Sequence, residues 1–289
     1  MTQDVWLSSH PYLQPVAELH KLVGTAAVEI PTAGTPAFDW DRYLSDFHRG
    51  VPLLHSSAGA IDLTPVQKIL ESLLEKLTST LPEELAPQMR TLVEEMRLQA
   101  NAQRRVMDWL LGSGTFQSAC PGLLRFLGWT ALARHLSPVL NVFAAWREEE
   151  QWLRTYCPTC GSLPAMAQLV GVDPGRRRFL SCGLCRTRWW YRRTQCPFCE
   201  NQNDHRLAVL AVEGEGGLRI DYCESCRAYL KTYDGEGSEN VLLADWTSIH
   251  LDVIASDRGL KRLAASLYEL QCPGRTPECP DTPHKSSRG

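Results

Sequence analysis

Four Cys-x-x-Cys pairs fall within one stretch of 70 residues, at Cys157/Cys160, Cys182/Cys185, Cys196/Cys199 and Cys223/Cys226. No other feature of the chain limits its possible folds so tightly. Segments this short, carrying eight thiols, have little apolar core of their own and fold mainly through bonds made by their cysteines. Disulfides would serve in a small secreted protein. In a 289-residue chain whose opening Met-Thr-Gln-Asp-Val-Trp-Leu shows no basic segment followed by an apolar one, metal thiolates are the better reading. That opening also points to a cytoplasmic location.

The spacing assigns the ligands. Cys157-x2-Cys160-x21-Cys182-x2-Cys185 forms one set, and Cys196-x2-Cys199-x23-Cys223-x2-Cys226 forms the other. Equivalent cysteines lie 39 residues apart in the first pairs (157 to 196) and 41 in the second (182 to 223), the mark of an internal duplication. Each set is a zinc-ribbon or rubredoxin pattern, in which two knuckle turns joined by a hairpin point four thiolates at one ion. Sharing an ion between Cys182/Cys185 and Cys196/Cys199 would leave ten residues between knuckles, tight for a hairpin containing a strand. Four sulfurs suit iron (Fe3+, rubredoxin-type) or Zn2+, so two ions per chain are expected, of either metal. A thioredoxin-like redox role would need a βαβ setting, which none of the pairs has. Cys120 reads as a core residue, and Cys272 and Cys279 have no assignment.

Around this region the chain reads as α+β: an N-terminal α-helical domain, tandem rubredoxin-like or zinc-ribbon metal modules, and a C-terminal helical segment. Residues 1–36 form a partly ordered lead-in and 37–153 a helical domain. Within the latter, Thr64-Pro65-Val66-Gln67 fits a capping box ahead of Val66, Ile69, Leu70, Leu73, Leu74 and Leu77 at helical spacing. Further helices are expected from about Pro87 to Leu111, Pro121 to His135 and Pro138 to Trp152. Modules span 154–195 and 196–236, with strands at Ala165–Val170, Arg178–Ser181, Thr187–Thr194, Arg206–Val212, Leu218–Tyr222 and Ala228–Tyr233. Helical spacing returns over 237–270, from Val241 to Leu270, and 271–289 is a Pro- and Ser-rich tail expected to be disordered. The uncharged stretch Leu136–Trp146 is far short of the ~20 apolar residues that span a membrane.

Net charge is -3, which argues against a generally basic nucleic-acid binder. Charge is nevertheless uneven. Arginines 154, 176, 177, 178, 186, 188, 192 and 193 share the first module with one acid, Asp173, while nine acids between Glu200 and Glu239 face four cations. The arginines are either a solvated face beside the thiolates or a surface for an acidic partner, with Arg176, Arg177 and Arg178 the candidate contacts. Trp189-Trp190-Tyr191 could stack on bases, but alternation along a strand turns at least one of these rings into the core. No catalytic constellation emerges. His205 beside Asp204 reads as a solvated loop pair, His48, His55, His135 and His250 lack ligand spacing, and no Walker loop, GxSxG elbow or GxGxxG precedes a helix.

Several stretches are more specific than Cys-x-x-Cys alone. They are Cys157-Pro-Thr-Cys-Gly-Ser-Leu-Pro, Gly175-Arg-Arg-Arg-Phe-Leu-Ser-Cys-Gly-Leu-Cys-Arg-Thr-Arg-Trp, Arg192-Arg-Thr-Gln-Cys-Pro-Phe-Cys and Tyr222-Cys-Glu-Ser-Cys-Arg-Ala-Tyr-Leu-Lys. With Val51-Pro-Leu-Leu, Ile61-Asp62 and Ala244-Asp-Trp-Thr-Ser-Ile-His-Leu-Asp252, they resemble the formate dehydrogenase accessory protein family, FdhE, from about residue 40 to 270. Asp245-Trp246 stands where that family usually has two aspartates. The resemblance implies a cytoplasmic maturation factor, not an enzyme, that binds the catalytic subunit of a respiratory formate dehydrogenase before its export. Composition and spacing by themselves stop at a cytoplasmic metal-ribbon protein. They leave open a nucleic-acid-binding zinc ribbon, separable by a salt titration against DNA, and a rubredoxin-like electron carrier, separable by metal content and visible colour.

Overall fold

A computed structural model describes residues 2–31, 38–57, 61–80, 83, 85–172, 175–215, 217–235 and 244–268. The expected tail, with Cys272 and Cys279, lies outside the described residues, as do 236–243. Eight α-helices and six strands are described: α1 (Gln3–Ser9), α2 (Gln14–Val28), α3 (Trp40–Arg49), α4 (Thr64–Leu77), α5 (Ala86–Leu98), α6 (Ala102–Leu110), α7 (Pro121–Trp146), β1 (Pro164–Val170), β2 (Arg177–Cys182), β3 (Arg188–Tyr191), β4 (Leu207–Ala211), β5 (Leu218–Cys223), β6 (Tyr229–Asp234) and α8 (Ile249–Asp257). The fold is α+β, helices first, then one sheet, then a short C-terminal helix.

The helical region packs around α7. Its Leu123, Leu124, Leu127, Trp129, Leu132, Val139 and Phe143 bury against α4, where Ile69, Leu70, Leu73 and Leu77 supply the expected stripe. Local details differ from the sequence reading. Leu63, not Thr64, precedes α4 and makes no side-chain cap; Asp62 Oδ1 instead accepts the Thr64 N–H at 2.9 Å. The single helix expected over Pro87–Leu111 is two, because Asn101 adopts a left-handed conformation at φ 54°. Conversely, α7 runs unbroken through Pro138. A proline there removes one backbone bond at a cost of about 3 kcal/mol, but Leu136, Val139 and Phe143 are buried beside it and hold the helix straight through. Within the expected partly ordered lead-in, Gln3–Ser9 and Gln14–Val28 are helices, and Trp6, Leu13 and Ala17 bury against the sheet and α8.

The two modules share one sheet, in the order β3-β2-β1-β6-β5-β4. Each contributes three antiparallel strands, and the join is a parallel pair, Met166–Leu169 of β1 against Lys231–Asp234 of β6. Because β1 and β4 run the same way, both clusters of cysteines sit at the same end of the sheet. Three strand spacings separate them, about 14 Å at ~4.8 Å per strand. Alternation sends Leu180, Trp189, Tyr191 and Leu230 toward the helical region and Leu218, Ile220, Tyr229 and Tyr233 toward α8 and α1. Of the expected C-terminal helix only a 3-10 turn at Asp245–Ser248 and α8 form among the described residues; 258–268 is irregular chain that meets the sheet through a bridge from Lys261 to Ala228.

Candidate metal centres

Each cysteine pair sits on the same turn. The carbonyl of the first cysteine accepts the N–H four residues on: from Gly161 at 2.9 Å, Arg186 at 3.2 Å, Glu200 at 3.0 Å and Arg227 at 2.8 Å. Its own N–H donates five residues on, to Ser162, Thr187, Asn201 and Ala228. The residue after the second cysteine is left-handed every time: Gly161 at φ 74°, Arg186 at 60°, Glu200 at 57° and Arg227 at 61°. Thr159, Leu184 and Phe198 each aim a backbone N–H at the first sulfur of their knuckle, at 3.4 Å. Four copies of one turn explain why the spacing within each pair never varies.

The knuckles meet as the spacing assigns them. Cys157, Cys160, Cys182 and Cys185 converge, with sulfurs 3.4 Å (157 to 185), 3.5 Å (160 to 182) and 3.6 Å (160 to 185) apart. Cys196, Cys199, Cys223 and Cys226 form the second group, at 3.8 Å for 196 to 226 and for 199 to 223. A tetrahedral ion with metal–sulfur bonds of about 2.3 Å places its sulfurs about 3.8 Å apart. Disulfide sulfurs would lie at about 2.05 Å. The donor set and spacing therefore fit one ion per group. Burial strengthens the argument, since it is the first cause pushing the Cys157 and Cys182 thiols well above their usual range. Four thiolates there coexist only around a cation.

The two sites differ. All four sulfurs of the first are buried in the main core, and Leu53 and Leu54 extend the contact by donating their backbone N–H groups to Pro158 and Thr159 at 2.8 and 2.9 Å. This is the structural role of the Val51-Pro-Leu-Leu stretch. The Ser162 and Thr187 hydroxyls reach Cys160 and Cys185 at 3.4 and 3.2 Å. At the second site Asn201 and Ala228 occupy the matching positions, Cys199 is exposed and Cys226 half-buried. Burial raises Cys223, but N–H groups of Cys226 and Ser225 outweigh it and bring the thiol down to about 7.

The arginines are mostly occupied within the chain. Arg176 reaches Asp234 at 2.6 Å. Arg177 is exposed and lies 3.2 Å from Glu150. Arg178 is buried, donates to the carbonyls of Arg192 and Gln195, and lies 5.5 Å from the centre of the Tyr191 ring. It faces the interior, so of the three only Arg177 is well presented to a partner. Trp189 and Tyr191 are buried, with the Trp189 indole N–H donating to Arg154 O at 3.0 Å. His205 is exposed, and Cys120 is a half-buried free thiol.

Comparison with known proteins follows the same lines. A family model described as FdhE, central domain, matches residues 156–193. A protein of Pseudomonas aeruginosa named Protein FdhE homolog is 32% identical over 279 residues, covering 92% of this chain and 86% of its own. This chain belongs to the FdhE family. An FdhE homolog from Aquifex aeolicus is 32% identical over 178 residues, a match spanning 60% of either chain. The crystal structure of the FdhE protein from Pseudomonas aeruginosa superposes with a TM-score of 0.64 at 27% identity, covering 92% of this chain and 90% of that one. The FdhE match thus takes in the helical region as well as the cysteine modules. Asp245, buried, and Asp252, half-buried, of the later family-like stretch prove to be partners of Lys231 and Arg262, and Trp246 packs against His20.

Proposed function

We propose that this chain is a cytoplasmic maturation factor that binds the catalytic subunit of a respiratory formate dehydrogenase and turns over no substrate itself. Membership of the FdhE family supports the client. The observation that carries a binding role is the pair of cysteine quartets built into one sheet, one deep against the helices and one near the surface. Cys157, Cys160, Cys182 and Cys185 hold one Fe3+ or Zn2+, and Cys196, Cys199, Cys223 and Cys226 a second. Either metal supplies tetrahedral cross-linking, and iron would add a one-electron couple. The protein's own contribution is to fix the sulfurs and to aim N–H groups at them.

In this reading residues 154–195 and 196–236 act as paired modules beside the helical region 37–153, and no membrane-spanning element takes part; among the described residues no helix is long and apolar enough to cross a bilayer. The client meets the edge of the sheet at the end of β3, where exposed Arg192 and Arg193 follow the strand and exposed Arg177 begins the neighbouring β2, offering bidentate donors for carboxylates. The test is capture of the catalytic subunit from cells making it, by wild-type chain and by an Arg177/Arg192/Arg193→Ala variant. Wild type retains the subunit, and the variant retains less, with more salt sensitivity. Absence of capture by wild type, with normal formate dehydrogenase activity in cells lacking the chain, overturns the proposal.

A further inference from the structure

Away from the cysteines, three remote side chains converge. His10 ends α1, Glu215 lies in the turn between β4 and β5, and His250 stands in the first turn of α8. They are 205 and 35 residues apart in sequence, yet their ligating atoms all lie within 4.8 Å of one another. Glu215 Oε1 is 3.2 Å from His10 Nε2 and 2.8 Å from His250 Nε2. The side chains of His10, Glu215 and His250 are only 8%, 9% and 14% exposed. Trp6 stacks on His10 at 3.9 Å, and Tyr12 closes edge-on against both imidazoles, at 5.8 and 5.6 Å.

Hydrogen bonding alone leaves this cluster unsatisfied. His10 Nδ1 lies 3.0 Å from the Trp6 carbonyl, an acceptor, so Nδ1 carries the proton. Nε2 can then donate to Glu215 Oε1, 3.2 Å away, only from a ring that carries both protons; a neutral ring sets two acceptors in contact. His250 Nε2, though near Oε1, is not aligned to make a hydrogen bond, and Glu215 Oε2 is buried with no partner among the described residues. One divalent cation between the three groups would take both Nε2 lone pairs and the Glu215 carboxylate at once, leaving only the buried His250 Nδ1 without a partner among the described residues. Two imidazoles and a carboxylate are an established zinc set, with bonds of about 2.0–2.2 Å and donors about 3.3 Å apart on a tetrahedron. A ligating histidine characteristically donates its other N–H to a backbone carbonyl, as His10 does to Trp6. We propose that His10, Glu215 and His250 form a third metal site, for a divalent cation of the zinc type, which clamps α1 and α8 onto the β4–β5 turn.

The site has three protein ligands against four thiolates, so it binds more weakly than the cysteine sites and is separable from them. Zinc-filled protein treated with a mild chelator should retain the ions of its cysteine quartets and then take up one further equivalent of cobalt(II). Its spectrum should show weak visible bands without the intense thiolate charge-transfer absorption. Glu215→Gln and His250→Asn should each lose that equivalent while keeping the cysteine-bound zinc and an unchanged circular dichroism spectrum. Should a variant misfold, X-ray absorption at the cobalt edge of wild type decides instead, with only nitrogen and oxygen neighbours expected. Failure of wild type to bind cobalt, thiolate bands in its spectrum, or undiminished binding by a folded variant overturns the proposal.

Discussion

Replacing Lys231 by methionine tests how the second module is tied to the chain that follows it. Lys231 lies on β6 with no exposed surface, its Nζ 2.6 Å from Asp245 Oδ1 and 2.8 Å from Asp252 Oδ2. Arg262 completes a neutral square, 2.9 Å from Asp245 and 2.7 Å from Asp252. Methionine fills the space of the stem but leaves the buried Asp245 and the half-buried Asp252 to one cation. Removing one partner of a buried pair costs about 3–5 kcal/mol. An independent gauge is Asp245 itself: burial alone would raise its carboxyl, but Lys231 and then Arg262 bring it from 3.8 down to about 2. That depression is worth about 2 kcal/mol. Because the folded-state value is lowered, this stability is present above about pH 4 and lost as pH falls through about 2. Urea unfolding of zinc-saturated protein at pH 7 should show a loss of about 3–5 kcal/mol for Lys231→Met. Adding Asp245→Asn should cost at least about 1 kcal/mol less in that variant than in wild type, because it restores neutrality. The gap between wild type and Asp245→Asn should narrow from pH 4 to pH 2. A loss under about 1 kcal/mol for Lys231→Met, or strict additivity in the double variant, would refute the reasoning.

Three further outcomes follow from the geometry of the modules. Arg178→Ala removes a buried side chain and strips the donor from the carbonyls of Arg192 and Gln195, and should cost about 2–4 kcal/mol in urea unfolding, whereas Arg177→Ala should stay within about 0.5 kcal/mol. Glu200→Gly relieves a left-handed residue on an exposed knuckle by about 1 kcal/mol, which should tighten metal binding at the second site roughly fivefold in a competition titration. A chromogenic chelator should draw metal from Cys196, Cys199, Cys223 and Cys226 before the buried first quartet, giving two release phases. Cys199→Ser should remove the faster one.

The cysteine quartets were readable because a knuckle is a local object: its ligands, turn and spacing lie within six residues. The sharing of one sheet was not readable. The parallel pairing of Met166–Leu169 with Lys231–Asp234 joins segments more than 60 residues apart and leaves no local pattern. Pro138 suggested a helix boundary because a missing N–H normally ends a helix, and only the packing of Leu136, Val139 and Phe143 overrides it. Asn101 worked in the opposite sense, since it tolerates a left-handed turn without the glycine that would announce one. Three of the four knuckles likewise place Arg186, Glu200 or Arg227, not glycine, at positive φ. Residues 1–36 looked loose because Pro11 and Pro15 interrupt the periodicity, yet Pro15 sits in the first turn of α2, where proline is tolerated. His10, Glu215 and His250 escaped the sequence reading because no spacing rule links the end of one helix to a distant hairpin turn. His250 alone gave no signal.

The pairing of cysteines into two independent metal sites is tested most directly by metal content in a Cys223→Ser/Cys226→Ser variant. The second quartet lies outside the main core, so its loss should leave the fold around the first intact. Wild-type protein, after mild chelation, should carry two thiolate-bound ions per chain, and the variant one, held by Cys157, Cys160, Cys182 and Cys185. A folded variant that keeps both ions, or loses both, would contradict the assignment.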